Sequence, residues 1–118
     1  MAVDDEETVL DLMIEVLNDL GFHALPASRA DEALALMAKT PDVDLLITDI
    51  RMPGMSGVDL ARQVRAMRPC LPILFVTGFA SELEGGVRQW VKDGHLLTKP
   101  FTMESFANTI RKMVGAPD

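Results

Sequence analysis

The segment Asp44-Leu45-Leu46-Ile47-Thr48 is apolar without alternation and stops abruptly at the carboxylate of Asp49. A strand with one wet face alternates apolar and polar side chains, whereas a strand covered on both faces of a parallel sheet does not. The turn-rich Met52-Pro53-Gly54-Met55-Ser56-Gly57 follows, and then a helical period with Val58, Leu60, Ala61, Val64 and Met67 as its apolar positions. Pro69 and Pro72 bracket the exit of that helix, and Ile73-Leu74-Phe75-Val76 is a second fully apolar run, ending at Thr77-Gly78. Two buried strands with a helix between them already require a right-handed parallel crossover.

The rest of the chain repeats the unit in both directions. Upstream, Glu6 to Leu20 places Leu10, Met13, Ile14, Leu17 and Leu20 on one helical stripe, with carboxylates near its start and Gly21 just past its end. Phe22 to Ala27 reads as a strand, and Ser28 is positioned to cap a helix with Ala30, Ala33, Leu34 and Met37 inward, stopped by Pro41. Downstream, Ser81 and Glu84 have capping-box spacing for a helix that Gly85 and Gly86 shorten. His95-Leu96-Leu97-Thr98 is a last short strand, closed by Lys99-Pro100. Thr102 then caps a final helix with Phe106, Ile110, Met113 and Val114 inward, which Gly115-Ala116-Pro117 terminates. Strand and helix alternate five times, so the fold class is α/β, a doubly wound parallel sheet with helices on both faces.

Composition sets the frame for this reading. The chain has 118 residues, 48% of them apolar and 25% charged, which makes residues 1–118 one soluble domain. Acids outnumber bases by 18 to 11, for a net charge of -7. The surplus is local: residues 1–19 carry Asp4, Asp5, Glu6, Glu7, Asp11, Glu15 and Asp19 without a Lys or Arg, while residues 20–118 carry 11 of each sign. Such a balance argues against direct nucleic-acid binding, which needs a basic stripe. A lone cysteine, Cys70, excludes an internal disulfide framework, and the chain has neither a signal-peptide start nor an apolar run of membrane-spanning length. A cytoplasmic protein with no direct membrane contact is the expectation.

In a doubly wound sheet, ligands bind outside the carboxyl ends of the strands. The residues at those exits are Asp4 and Asp5, Ala27, Asp49, Thr77 and Lys99. Crowded carboxylates repel one another unless a hard cation lies between them, and Mg²⁺ accepts one or two carboxylates together with water and phosphate oxygens. A carboxylate can attack phosphorus, and the transferred group then needs a cation, a lysine and a hydroxyl on its oxygens. Taken singly, each residue has a plain structural role: the acids complement a helix dipole, Asp49 opens a turn, Thr77 suits a strand and Lys99 a loop. Their joint placement on the exits of one sheet is what points to chemistry.

On these residues the chain resembles the receiver domains of two-component response regulators. The resemblance covers nearly the whole chain and rests on an ordered series: Val3-Asp4-Asp5-Glu6, Thr48-Asp49-Ile50-Arg51-Met52-Pro53-Gly54-Met55-Ser56-Gly57, Val76-Thr77-Gly78 and Thr98-Lys99-Pro100-Phe101. It implies a flavodoxin-like sheet of order 2-1-3-4-5 and a phosphoacceptor role for Asp49. It also implies Mg²⁺ bound by Asp5 and Asp49 directly, by Asp4 through water and by the backbone carbonyl of Arg51. Thr77 and Lys99 would each contact a phosphoryl oxygen, and the peptide before Pro100 would be cis. The implied partner is a histidine kinase or a phosphotransfer domain, and the family also admits a homodimer.

Two departures from the family pattern stand out. Only Met1-Ala2-Val3 precede Asp4, so the first strand is expected to be short, either truncated or completed by a neighbouring segment. Leu96 occupies the position where many members place Tyr or Phe, so the usual aromatic readout is not expected in its ordinary form. No output domain is expected after the last helix, and Ile73 to Ala80 with Leu96-Leu97-Thr98-Lys99 resembles receivers fused to hybrid sensor kinases. A free-standing regulator and an excised receiver are therefore both expected settings.

Two rival functions fit these residues less well. An aspartyl phosphatase would place a general acid two residues after its nucleophile, where this chain has Arg51, and a pseudo-receiver would require a broken site. His23 and His95 show no metal-ligand spacing, Cys70 reads as a small packing residue, the methionines as mostly core, and Trp90 as a packing or interface residue of the helix after Ser81.

Overall fold

The structure is a computed structural model that describes residues 1–78 and 96–114. Its strands are β1 (Ala2–Val3), β2 (Pro26–Ala27), β3 (Leu46–Asp49), β4 (Ile73–Thr77) and β5 (Leu96–Thr98). Its helices are α1 (Glu7–Asp19), α2 (Ala30–Lys39), α3 (Gly57–Met67) and α4 (Met103–Val114). The strands form one parallel sheet in the order β2-β1-β3-β4-β5, as expected. The helix expected after Ser81, with Trp90 and His95, lies outside the described residues, as do Gly115 to Pro117.

Alternation along the strands divides the interior into two layers. Val3, Leu46, Ile73 and Phe75 pack with Ala30, Ala33 and Met37 of α2 and with Leu60, Ala61 and Val64 of α3. Ala2, Ile47, Leu74 and Val76 pack with Met13 and Leu17 of α1 and with Phe106 and Ile110 of α4. β3 and β4 are buried along their whole length, which is why their sequences do not alternate. Phe101, in the loop after β5, stacks on Phe106 with ring centroids 5.4 Å apart.

The helix ends follow local chemistry. Gly21, at φ 95°, closes α1: its N–H donates to the Asn18 carbonyl, and the Phe22 N–H donates to that of Leu17. Ser56 caps α3, its hydroxyl accepting the Asp59 N–H at 3.2 Å. At the start of α4 the exchange is reciprocal, with Thr102 Oγ1 accepting the Ser105 N–H at 3.0 Å and Ser105 Oγ accepting the Thr102 N–H at 3.1 Å. Thr102→Ala should cost about 1 kcal/mol, read as a lower urea midpoint at an unchanged m-value.

Several expectations are corrected. The strand anticipated from Phe22 shrinks to Pro26–Ala27 because β2 lies at the sheet edge and its only partner among the described residues, β1, is itself two residues long. Ser28 does not cap α2. Arg29 holds the N-cap position without a side-chain capping bond, while the Ser28 N–H donates to Glu32 Oε1 at 3.1 Å. Met67 is 48% exposed because α3 has reached its last turn and passed the edge of the layer. Cys70 is exposed rather than packed, since it sits in the turn between α3 and β4. The short first strand is present as anticipated, with the Met1 ammonium donating to the Leu45 carbonyl at 2.8 Å.

Candidate functional site

Four of the five strands deliver a polar residue to the same edge of the sheet. β1 runs into Asp4 and Asp5, β3 ends on Asp49, β4 on Thr77, and Lys99 follows β5. Asp4, Asp49 and Thr77 are buried and Asp5 is exposed. The neighbouring exits are tied together by backbone hydrogen bonds, from the Lys99 N–H to the Thr77 carbonyl at 2.7 Å and from the Ile50 N–H to that of Val76 at 3.3 Å. The peptide between Lys99 and Pro100 is cis, as the resemblance implied.

The loop after β3 is held close behind the site. The Gly57 N–H donates to the Ile50 carbonyl at 2.8 Å, and the buried Thr48 hydroxyl donates to the Asp49 carbonyl at 2.9 Å. Gly57 is required by contact rather than by conformation, because a Cβ at this position would overlap the Asp49 carbonyl oxygen. Sequence reading placed Gly57 in a turn but could not find this approach, since it joins a helix start to a strand end. Arg51 is exposed in the same loop, two residues beyond Asp49.

Lys99 is the electrostatic hub. Its ammonium donates to Glu6 Oε1 at 3.0 Å and to Asp49 Oδ2 at 3.2 Å, and lies 3.0 Å from Asp4 Oδ2. The contact to Asp4 is an ion pair by distance but lacks hydrogen-bond geometry, so Asp4 Oδ2 is buried with no hydrogen-bond donor. The other Asp4 oxygen accepts the Glu6 N–H at 2.9 Å. Glu6 was legible in the sequence only as part of an acidic run. Its pairing with Lys99 spans nearly the whole chain and is a product of the fold.

Burial and like charge set the protonation of these groups. Burial pushes the Asp49 carboxyl up to about 6, with the neighbouring Asp4 charge adding to the rise and Lys99 opposing it. Asp4 is also raised, by burial first, against the pull of the Glu6 N–H and of Lys99. For Lys99, burial works against the ammonium, but the hydrogen bond to Glu6 and the nearby charges of Asp4 and Asp49 outweigh it and hold the group above the ordinary lysine range.

The donor set fits a hard divalent cation. Asp4, Asp5 and Asp49 each offer an oxygen, all within 4.8 Å of one another, and one of the buried oxygens has no hydrogen-bond donor. Mg²⁺ at about 2.1 Å from its ligands accommodates oxygens up to about 4.2 Å apart, so a small rotation of one carboxylate, or one intervening water, would complete the fit.

Comparison with known proteins agrees with this geometry. The chain is 31% identical to the response regulator receiver protein CpdR of Brucella abortus over 98% of its own length and 96% of that protein's. It is 32% identical to a segment of the autoinducer 1 sensor kinase/phosphatase LuxN of Vibrio campbellii, spanning 98% of this chain but 13% of LuxN. The high-resolution structure of the chemotaxis response regulator CheY4 of Vibrio cholerae superposes with a TM-score of 0.84 at 29% identity, covering 96% of this chain and 95% of that one. The profile of the response regulator receiver domain family matches residues 1–111. With its sheet order, its acidic edge and these relatives in agreement, the chain belongs to that family, the phosphoacceptor switch domains of two-component systems.

Proposed function

We propose that Asp49 is the residue that accepts the phosphoryl group, taken from a phosphohistidine on a partner histidine kinase or phosphotransfer domain. The observation that carries the proposal is the position of the Asp49 carboxylate, at the end of β3, hydrogen-bonded to Lys99 and clustered with Asp4 and Asp5. An Asp49 oxygen attacks phosphorus and forms the acyl-phosphate P–O bond. The P–N bond breaks, its electron pair goes to the histidine nitrogen, and the imidazole, whose other ring nitrogen already carries a proton, leaves in its neutral form.

Lys99 then contacts one phosphoryl oxygen and the Thr77 hydroxyl another, stabilising charge that spreads over the group in the transition state. Asp5, Asp49 and the Arg51 carbonyl would hold Mg²⁺, with Asp4 acting through water, and the bound ion supplies positive charge against the incoming phosphoryl oxygens. Contacts that Lys99 and Thr77 make only in the phosphorylated state bias the domain towards one of two arrangements, which is the signal.

As an isolated domain it is a switch rather than a turnover enzyme, because Arg51 stands where an aspartyl phosphatase keeps its general acid. A cytoplasmic setting suits this chemistry, and the match to nearly all of CpdR and to a segment of LuxN fits both a free-standing regulator and a receiver within a larger kinase.

The test is incubation with acetyl phosphate and Mg²⁺, followed by intact-mass measurement. One base-labile phosphoryl group per chain is the expected result, lost when EDTA replaces Mg²⁺. Continuous phosphate release from many substrates would instead favour the phosphatase, and absence of labelling from any donor the pseudo-receiver.

A further inference from the structure

Three carboxylates surround the Lys99 ammonium, and they are not equivalent. Asp4 and Asp49 are buried and belong to the acidic cluster, whereas Glu6 stands outside that cluster with its side chain 58% exposed. Glu6 nevertheless takes one of the two well-directed hydrogen bonds that the ammonium makes to carboxylates among the described residues, at 3.0 Å. It makes this contact from the N-cap position of α1 with no side-chain bond to the helix it caps, so the side chain is committed to Lys99 rather than to α1. Glu6 and Lys99 also line a solvent-open groove of about 570 Å³ that runs between Val9, Leu12, Gly78 and Phe101.

We propose that Glu6 is a releasable latch on Lys99: a positioning residue that holds the ammonium in the unphosphorylated domain and must give way when a phosphoryl oxygen takes its place. The inference rests on Asp49 being the phosphoacceptor. Of the three partners, Glu6 is the one whose release costs least, because an exposed ion pair is weak and salt-screened while the buried carboxylates would be left without compensation. Its negative charge opposes the donor on approach and competes with the phosphoryl oxygen afterwards. Glu6 therefore sets how readily the domain charges rather than whether it can.

The experiment compares wild type, Glu6→Gln and Glu6→Asp in two measurements. The first is the apparent second-order rate of phosphorylation by acetyl phosphate, in which the Asp49 oxygen displaces acetate from phosphorus as the P–O bond to acetate breaks. The second is the affinity for beryllofluoride at saturating Mg²⁺, by calorimetry. Glu6→Gln should raise both by about 2- to 5-fold at low ionic strength, with the gain shrinking as salt screens the exposed pair. Glu6→Asp, which keeps the charge, should recover most of the wild-type behaviour, and the urea midpoint should move little in either variant. A purely structural role for Glu6 would shift the urea midpoint without a salt-dependent gain. Unchanged or weaker beryllofluoride binding in Glu6→Gln, with wild type labelling normally, overturns the latch alone. Failure of wild type to label at all overturns the phosphoacceptor reading and the latch with it.

Discussion

Asp49→Asn should abolish labelling by acetyl phosphate and, in metal-free buffer at pH 7, make the domain more stable than wild type. The first effect follows from losing the nucleophile, because an amide oxygen cannot form the acyl phosphate. The second follows from electrostatics. The Asp49 carboxyl titrates at about 6 in the folded chain, raised from 3.8 chiefly by burial and then by Asp4. Between those values the folded state binds more protons than the unfolded state, so stability falls as pH rises from about 4 to 6 and stays low above that. Asp4, raised in the same direction, adds to the trend.

Removing the Asp49 charge should therefore return roughly 1 to 3 kcal/mol at pH 7, on the scale of about 1.4 kcal/mol per pKa unit, and nearly nothing at pH 4. Mg²⁺ should stabilise wild type by mass action and Asp49→Asn much less, since the variant lacks one of the three clustered carboxylates. Urea titrations at pH 4 and 7, with and without Mg²⁺, read all four terms. A wild-type protein that gains stability from pH 4 to 7 without metal would contradict the account.

Gly57→Ala should be the most damaging single-methyl change in the described site. Within a helix, Gly to Ala ordinarily stabilises by about 1 kcal/mol. Here the sign reverses, because the new Cβ would overlap the Asp49 carbonyl oxygen and crowd the Ile50 Cα, backbone atoms that cannot rotate away. The start of α3 or the end of β3 must shift, with a cost of roughly 2 to 4 kcal/mol in the urea-derived free energy. Displacing the Asp49 backbone also moves the nucleophile relative to Lys99, and a misplacement near 1 Å can cost on the order of 100-fold in rate. Ser56→Ala, one residue earlier, loses only its hydroxyl cap on the Asp59 N–H and should cost about 1 kcal/mol with labelling nearly intact. Equal stability losses in the two variants would sink the contact argument.

The contrast between these neighbours shows what a linear reading can reach. Capping is local, a hydroxyl and an N–H three residues apart, so Thr102 was legible as a cap and Gly21 as the end of α1, whereas Ser56, which caps in the same way, was legible only as part of a turn. The buried strands β3 and β4 were legible because burial on both faces removes alternation, and Asp49 and Thr77 were legible because they end those runs. Where the reading erred, the deciding partner was distant. The length of β2 depends on β1 and the exposure of Met67 on where the α2 and α3 layer ends; Ser28 is the exception, its N–H taken by Glu32 only four residues on.

The acidic first segment illustrates the division most clearly. Sequence alone determined that the negative surplus lies in residues 1–19, and that Asp4, Asp5, Asp49, Thr77 and Lys99 stand at strand ends of one parallel sheet, because periodicity and punctuation are properties of neighbouring residues. Only the tertiary structure decided which acids act together. It buried Asp4 and Asp49, left Asp5 exposed, and brought Glu6 from the same run to the ammonium of Lys99. Charge–charge coupling and desolvation depend on distance and exposure in three dimensions, and neither is encoded in spacing along the chain.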